Sequence, residues 1–198
     1  RVDRRQRQMC IRDSRGYHEI KEHGKREFPF NIYPCSIPVD FSHVALHWHE
    51  EMEIIAVKKG KGRITVDTVS YPVEEGDILA VFPGQLHAIS CGNGERMEYE
   101  NIIFRLSMLM GDNGDGCTVH FLKPLQEGQA KNPVLIQRNQ PDHEVFGKVI
   151  QELDRFSEIR GNGYQLAVKG QLFLFLYYAY GRGILFTEKK PGHAREKI

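Results

Sequence analysis

From Val44 onward the chain is a succession of short apolar runs that glycine, proline and asparagine keep interrupting: "VALHWH", "MEIIAVKKG", "GRITVDTVSYPV", "GDILAVFP", "HAISC" and "MEYENIIFRLSM". Each run is rich in β-branched or aromatic residues, and Gly60, Gly62, Gly76, Gly84, Gly92 and Gly94 read as the corners between them. Strands this short and evenly spaced predict a sandwich or barrel closed around one interior. Ahead of them "FPFNIYPCSIPVDF", Phe28 to Phe41, carries three prolines among aromatics and aliphatics. Proline is confined to edges and bulges of a sheet, so this stretch predicts an extended arm laid along the larger one.

The last third changes period. After Pro141, the residues Val145, Phe146, Val149, Ile150, Leu153, Phe156 and Ile159 recur at helical spacing, with Asp142 placed as N-cap and Gly161 as the stop. Residues 164–180 predict a second helix, apolar almost all round. One stripe of it can bury against the sheet; the remainder calls for a partner helix or another subunit. Leu172, Phe173, Leu176 and Tyr180 are the candidate dimer surface, packing on the barrel being the other role open to them. The expected division is an extension at 1–16, disordered or foreign to the fold, an arm and barrel at 17–137, a helical hairpin at 138–186 and the start of a linker at 187–198. "GDNGDGC", Gly111 to Cys117, has no acidic residue at the twelfth position of a calcium loop and reads as a solvated turn.

The 198 residues are enough for a real core, and 40% hydrophobic with 27% charged residues predicts a soluble globule. A net charge of +1 argues against a surface that grips nucleic acid by its phosphates alone. Cys10, Cys35, Cys91 and Cys117 lie far apart with no CxxC, which favours free thiols in a reducing compartment, the cytoplasm. The longest apolar run, "LFLFLYYAY", is too short to span a bilayer, so no membrane partner is expected.

The chemistry concentrates in "HWHEEMEIIAVKKG", residues 47 to 60. On a strand His47 and His49 share a face, Trp48 takes the other, and the two Cα atoms stand roughly 7 Å apart, close enough for both imidazoles to reach one ion. Glu53 would lie roughly 20 Å from His47 along an unbroken strand, so it joins them only if the chain bends between Glu50 and Met52; the pair Glu50–Glu51 is the candidate exposed corner. His87, after the turn "PGQLH", is the fourth candidate. Three nitrogens and a carboxylate suit Zn, Mn, Fe or Ni. The same groups could orient a hydroxylated ligand without metal, and histidines at strand ends also serve simply as partners of the backbone.

"HWHEEMEIIAVKKG" has the form H-x-H-x3-E-x6-G, which resembles the first cupin motif without its leading glycine, and "GDILAVFPGQLH" resembles the second through Gly76, Gly84 and His87. Pro83 falls one residue late, and Cys91 stands where asparagine is usual. With "YHEIKEHGKREFPFNIYPCSIP", "EEGDILAVFPGQLHAI", "FLKPL" and two helices in that order, residues 17 to 186 resemble the N-terminal sensor domain of AraC-family transcription regulators. The resemblance implies a mainly β fold, a cupin-type (jelly-roll) β-barrel followed by a C-terminal two-helix hairpin. It implies a small-molecule effector, often a sugar, held by His47, His49, Glu53 and His87, the same four being the candidate metal ligands. It also implies an arm over the pocket, with Phe28, Phe30 and Tyr33 as lid or as core, and a homodimer made by the hairpin. DNA would be reached only through a helix-turn-helix domain that this chain does not contain. The expected chain is a binding module without catalytic residues; the competing reading is a metal-dependent cupin enzyme of isomerase or oxygenase type.

Overall fold

The structure is a computed structural model describing residues 17–19, 21, 23–184 and 186. The expected extension at 1–16 and linker at 187–198 lie outside the described residues. In chain order the elements are β1 (Phe30–Ile37), β2 (Val44–His47), β3 (Met52–Val66), β4 (Val69–Glu74), β5 (Ile78–Val81), β6 (His87–Ser90), β7 (Met97–Phe104), a 3-10 turn (Leu106–Leu109), a π-helical turn (Thr118–Leu122), α1 (Lys123–Gln126), β8 (Val134–Ile136), α2 (His143–Ile159) and α3 (Tyr164–Gly181).

β3 organises the barrel. Its first half pairs antiparallel with β5 and β7, in the order β1-β7-β3-β5-β8. Its second half pairs with β4 and β6, and β2 completes that side on β6. One 15-residue strand therefore belongs to both walls. The expectation that Gly60 and Gly62 separate two strands is corrected: β3 continues through them, after a shift of register between Val57 and Lys59. They are needed because the walls close there. Gly60 has φ +78°, and a Cβ on it would stand 2.0 Å from the Arg96 carbonyl oxygen; one on Gly62 would meet Met97 Sδ at 2.8 Å. Gly60→Ala should therefore lower the unfolding free energy, measured in urea, by more than the roughly 1–2 kcal/mol that a left-handed conformation alone costs a residue with a Cβ.

Alternation along β3 sorts its side chains. Met52, Ile54 and Ala56 face outward into the layer under the helices, where they join Phe82, Ile102, Phe104, Phe146, Leu153, Leu172, Phe175 and Leu176. Ile55 and Val57 face inward, with Cys35, Ile37, Leu79, Val81, Ile89, Met97 and Tyr99. Glu53 lies on the inward side too, two residues before Ile55. β1 is an edge strand paired only with β7, which is how it tolerates Pro34. Phe28 and Phe30 pack on the helix side, with Phe28 5.8 Å from the Tyr164 ring, so they are core rather than lid. Tyr33 pairs across β1–β7 with Asn101, which pairs with Ile55, and so faces the lumen.

The hairpin follows the expected pattern with local differences. Asp142 occupies the N-cap position of α2, but its carboxylate makes no cap; it accepts from Arg182 at 2.6 and 2.8 Å, tying the two helix ends together. α2 closes on Arg160 in a left-handed conformation, one residue before Gly161, and Ile159 is exposed. Residues 105–108, expected as strand, turn into the 3-10 segment Leu106–Leu109. In "GDNGDGC", Asp115 accepts from the Thr118 N–H and hydroxyl, both at 2.7 Å, so it starts the following helical turn.

The candidate dimer residues divide. Leu172 and Leu176 are buried inside the protomer, against Phe146, Leu153 and the sheet. Tyr180 donates its hydroxyl to the Phe121 carbonyl at 2.6 Å and meets the Phe121 ring edge to face. Phe173 alone remains exposed, on the same helix as exposed Leu166, Leu174 and Tyr177. The expectation fails for Leu172 and Leu176 because a helix apolar all round still has one stripe that its own barrel takes.

Candidate metal and ligand site

Four side chains converge on the inner wall. His47 closes β2, opposite His87 at the start of β6, and Glu53 is the second residue of β3. His49 lies in the connection between β2 and β3. The bend that Glu53 required is present at residues 48–51, but it is not the open corner anticipated: Glu50 is exposed, whereas Glu51 is buried and accepts from Arg105 at 2.8 Å. Gly84 donates its N–H to the His49 carbonyl at 2.9 Å, and Gln85 Oε1 accepts from the Phe82 N–H at 2.8 Å. These contacts lock the "PGQLH" turn that delivers His87.

All four groups are at most 2% exposed, and their ligand atoms lie within 4.8 Å of one another. The His47 and His87 rings are 4.2 Å apart between centroids. Each imidazole is oriented the same way. Nδ1 of His47 faces the Ala45 carbonyl at 2.9 Å, Nδ1 of His49 the Glu51 carbonyl at 3.1 Å, and Nδ1 of His87 the Gln85 carbonyl at 3.0 Å. A carbonyl oxygen only accepts, so the ring hydrogen sits on Nδ1 and each Nε2 turns a lone pair inward. There Glu53 Oε2, also an acceptor, stands 2.9 Å from His49 Nε2 and 3.0 Å from His87 Nε2. A neutral imidazole has one N–H and cannot serve both neighbours. Either extra protons sit in this buried group or a cation does. Backbone acceptors fixing Nδ1–H are also what orients histidines that bind metal through Nε2.

Further atoms are left without partners: His47 Nε2, Glu53 Oε1 and both amide atoms of the fully buried Asn101. Native interiors seldom leave buried polar atoms unpaired without a reason. Donors on one divalent ion with bonds of roughly 2.0–2.2 Å stand roughly 3–4 Å apart; ligand atoms within 4.8 Å of one another reach that spacing by side-chain shifts on the order of an ångström, and the residues fit such an ion.

The electrostatics agree with the geometry. Burial would raise the Glu53 carboxyl, but His87 and the hydrogen bonds with His49 and His87 outweigh it and hold Glu53 well below the usual carboxylate range. Burial would lower His49, yet Glu53 raises it above its ordinary value. Burial, with His87 beside it, pushes His47 down to about 4. The His49–Glu53 pair therefore favours a positive charge beside the carboxylate, while burial works against charge on His47.

Two groups missed in the sequence complete the surroundings. Glu19 Oε2 lies 3.6 Å from His47 Nε2, and His23 Nδ1 lies 3.1 Å from the Tyr33 hydroxyl. Their only signal was the spacing of Glu19 and His23 in "HEIKEH", within a stretch read simply as part of the arm. Burial, and then His49, pushes His23 down to about 4. The unfolded chain, with His23 near 6.5, binds the extra proton between these values. Stability from a neutral His23 is therefore complete above pH 6.5 and is lost as pH falls toward 4, by about 3 kcal/mol. In chelator-treated protein His23→Gln should flatten the dependence of unfolding free energy on pH across that window by about this amount, measured by urea denaturation.

The lumen is separate from the outer surface features. A cavity of about 470 Å³ lined by Lys61, Arg63, Glu74, Asp77, Cys91 and Glu95, among others, contains none of the four residues. Among the described residues no helix is long and apolar enough to cross a membrane.

Over 82 residues the chain is 29% identical to the uncharacterized HTH-type transcriptional regulator YdeC of Bacillus subtilis, a match covering 41% of this chain and 28% of that regulator. Similar solved structures include a cupin protein from Bacteroides fragilis, 25% identical over 42% of this chain and 69% of that one, with a TM-score of 0.32. A predicted oxalate decarboxylase from Thermotoga maritima is 25% identical over 37% of this chain and 64% of its own, with a TM-score of 0.35. A family described as the AraC-like ligand binding domain matches residues 38–176. The match spans β2 to β8 with all four converging residues, all of α2 and α3 as far as Leu176, and the chain belongs to this family.

Proposed function

We propose that the chain is the effector-sensing and dimerising part of a transcription regulator acting in the cytoplasm, with the lumen at His47, His49, Glu53 and His87 as its ligand site. Residues 17–137 form the sensing unit and 138–186 the pairing hairpin. The observation that carries the reading is the inner wall itself: an otherwise apolar container has one polar region, and His47 Nε2, Glu53 Oε1 and Asn101 there have no protein partners. Those donors and acceptors suit a small polyhydroxylated molecule, of the sugar class. His47, His49, Glu53 and His87 would hold a divalent metal (Zn, Mn, Fe or Ni), which supplies a positive charge that polarises a ligand oxygen. Asn101 would hydrogen-bond the ligand from the adjoining layer, and Tyr33 would carry its position to the N-terminal segment through His23.

Binding inside the barrel then favours one arrangement of that segment and of the hairpin packed behind β3. Lys58, which bonds Glu100 at 2.6 Å on β7 and Asp154 at 3.0 Å on α2, is a direct link between sheet and hairpin. The shift in spacing would be read by a helix-turn-helix domain outside this chain. A metal-dependent isomerase or oxygenase would use the same four residues; family membership favours the sensor. The test is thermal denaturation of metal-loaded protein with sugars and uronic acids. A ligand at a hundredfold its Kd stabilises by about 2.7 kcal/mol, a shift of several degrees for a domain of this size. Stabilisation by one such class supports the reading, and a flat response across all of them removes the sugar-class effector.

A further inference from the structure

The N-terminal segment is joined to the barrel at the residue between the two histidines of the first motif. Trp48 donates its N–H to the Tyr17 carbonyl at 2.7 Å, and Glu19 donates its N–H to the Trp48 carbonyl at 2.9 Å, a parallel bridge centred on His18 and Trp48. The His18 and Trp48 rings stack outside the wall with centroids 4.1 Å apart. Alternation then requires what the structure shows. Trp48 and His18 point outward, while His47, His49 and Glu19 point inward. Glu19 Oε2 reaches to 3.6 Å from His47 Nε2 and 4.0 Å from His23 Nε2, its side chain 6% exposed. None of these three atoms has a hydrogen-bond partner. A carboxylate oxygen and two imidazole nitrogens, buried and none of them hydrogen-bonded, form an unfinished polar group beside the four donors. Glu19 is not one of the four residues whose ligand atoms cluster within 4.8 Å, but its Oε2 stands beside one of them, His47 Nε2, at a separation that two donors of one ion can have, so a small inward movement brings it to the centre.

We propose that Glu19 is a fifth protein donor of the centre, carried in on the N-terminal segment, so that taking up a divalent cation and closing the lumen are one event. The proposal rests on the four-donor reading of His47, His49, Glu53 and His87, and adds to it a ligand that neither cupin motif contains. Its chemical consequence is charge. Two carboxylates, Glu19 and Glu53, neutralise a divalent ion that Glu53 alone would leave with one positive charge. An effector that enters the lumen must displace Glu19 to reach the ion, and releasing Glu19 frees the segment that covers it. An anionic oxygen, such as a uronate carboxylate, would replace the lost charge; a neutral hydroxyl would not.

The test uses the whole chain, stripped with chelator and titrated with Co²⁺, whose visible absorption reports uptake. Glu19→Gln keeps the backbone bridge to Trp48 and removes only the charge. Wild type should bind one Co²⁺, and E19Q should bind at least about tenfold more weakly, the lower end of what loss of even an outer partner costs. Saturating Co²⁺ should slow tryptic cleavage after Lys21 and Lys25 in wild type and leave the rate in E19Q unchanged. Equal affinity, equal spectra and equal protection in the two proteins would overturn the role of Glu19 while leaving the four-donor centre standing. Wild type that takes up no Co²⁺ would overturn the four-donor reading and this proposal with it.

Discussion

Glu53→Ala is expected to abolish the response of this chain to divalent metal. Glu53 is the single carboxylate among the four donors, and its Oε2 lies within 3.0 Å of two imidazole nitrogens whose lone pairs cannot satisfy one another. Removing it leaves three neutral nitrogens and no negative charge among the four to offset the cation, in a wall that water does not reach. Loss of a partner outside the coordination sphere costs roughly 10–100-fold in metal affinity; loss of this donor should cost more. Wild type at a thousandfold excess of metal over its Kd gains about 4 kcal/mol of stability, and the variant should gain nothing measurable in the same melt. The metal-free proteins provide the control. If E53A melts far below metal-free wild type, the carboxylate serves the fold as well as the ion.

Leu172→Ala should destabilise the protomer itself. Its side chain is fully buried with Phe146, Leu153 and Phe175 between hairpin and sheet, and truncating a buried leucine costs about 2–5 kcal/mol. Phe173, one residue on, is 40% exposed. Phe173→Ala should leave the unfolding free energy in urea within about 0.5 kcal/mol of wild type when measured at low protein concentration. If α3 pairs two protomers through its outer face, Phe173→Ala together with Tyr177→Ala should shift light scattering toward the monomer without unfolding the chain. A protomer indifferent to Leu172→Ala would contradict the packing described for α3.

How much of this was legible in the residues depends on the length of the pattern that encoded it. The hairpin is written in seventeen- and eighteen-residue helices, α2 in its apolar spacing and α3 in a long run that is apolar almost all round, and both are placed within a few residues. The four inward-facing donors were legible because alternation fixes His47 and His49 to one face and because two motifs mark Glu53 and His87. The continuity of β3 was not. Glycine ordinarily interrupts a strand, and the reason Gly60 and Gly62 do not is the close approach of Arg96 and Met97, a contact between residues more than thirty positions apart. Glu51 was unreadable for the same reason: its buried partner, Arg105, is distant in the chain. The π-helical turn and β8 are too short to carry a period. Glu19 entered the site through a two-residue bridge to Trp48, which no local pattern announces.

That His47, His49, Glu53 and His87 hold an ion within a closed wall is the central claim. Elemental analysis of the chain, expressed without added metal and purified without chelator, tests that claim most directly. Wild type should carry about one equivalent of a single divalent transition metal, and E53A prepared alongside it about none. Less than about a tenth of an equivalent in wild type, unchanged after dialysis against Zn²⁺, Mn²⁺, Fe²⁺ and Ni²⁺, would contradict it.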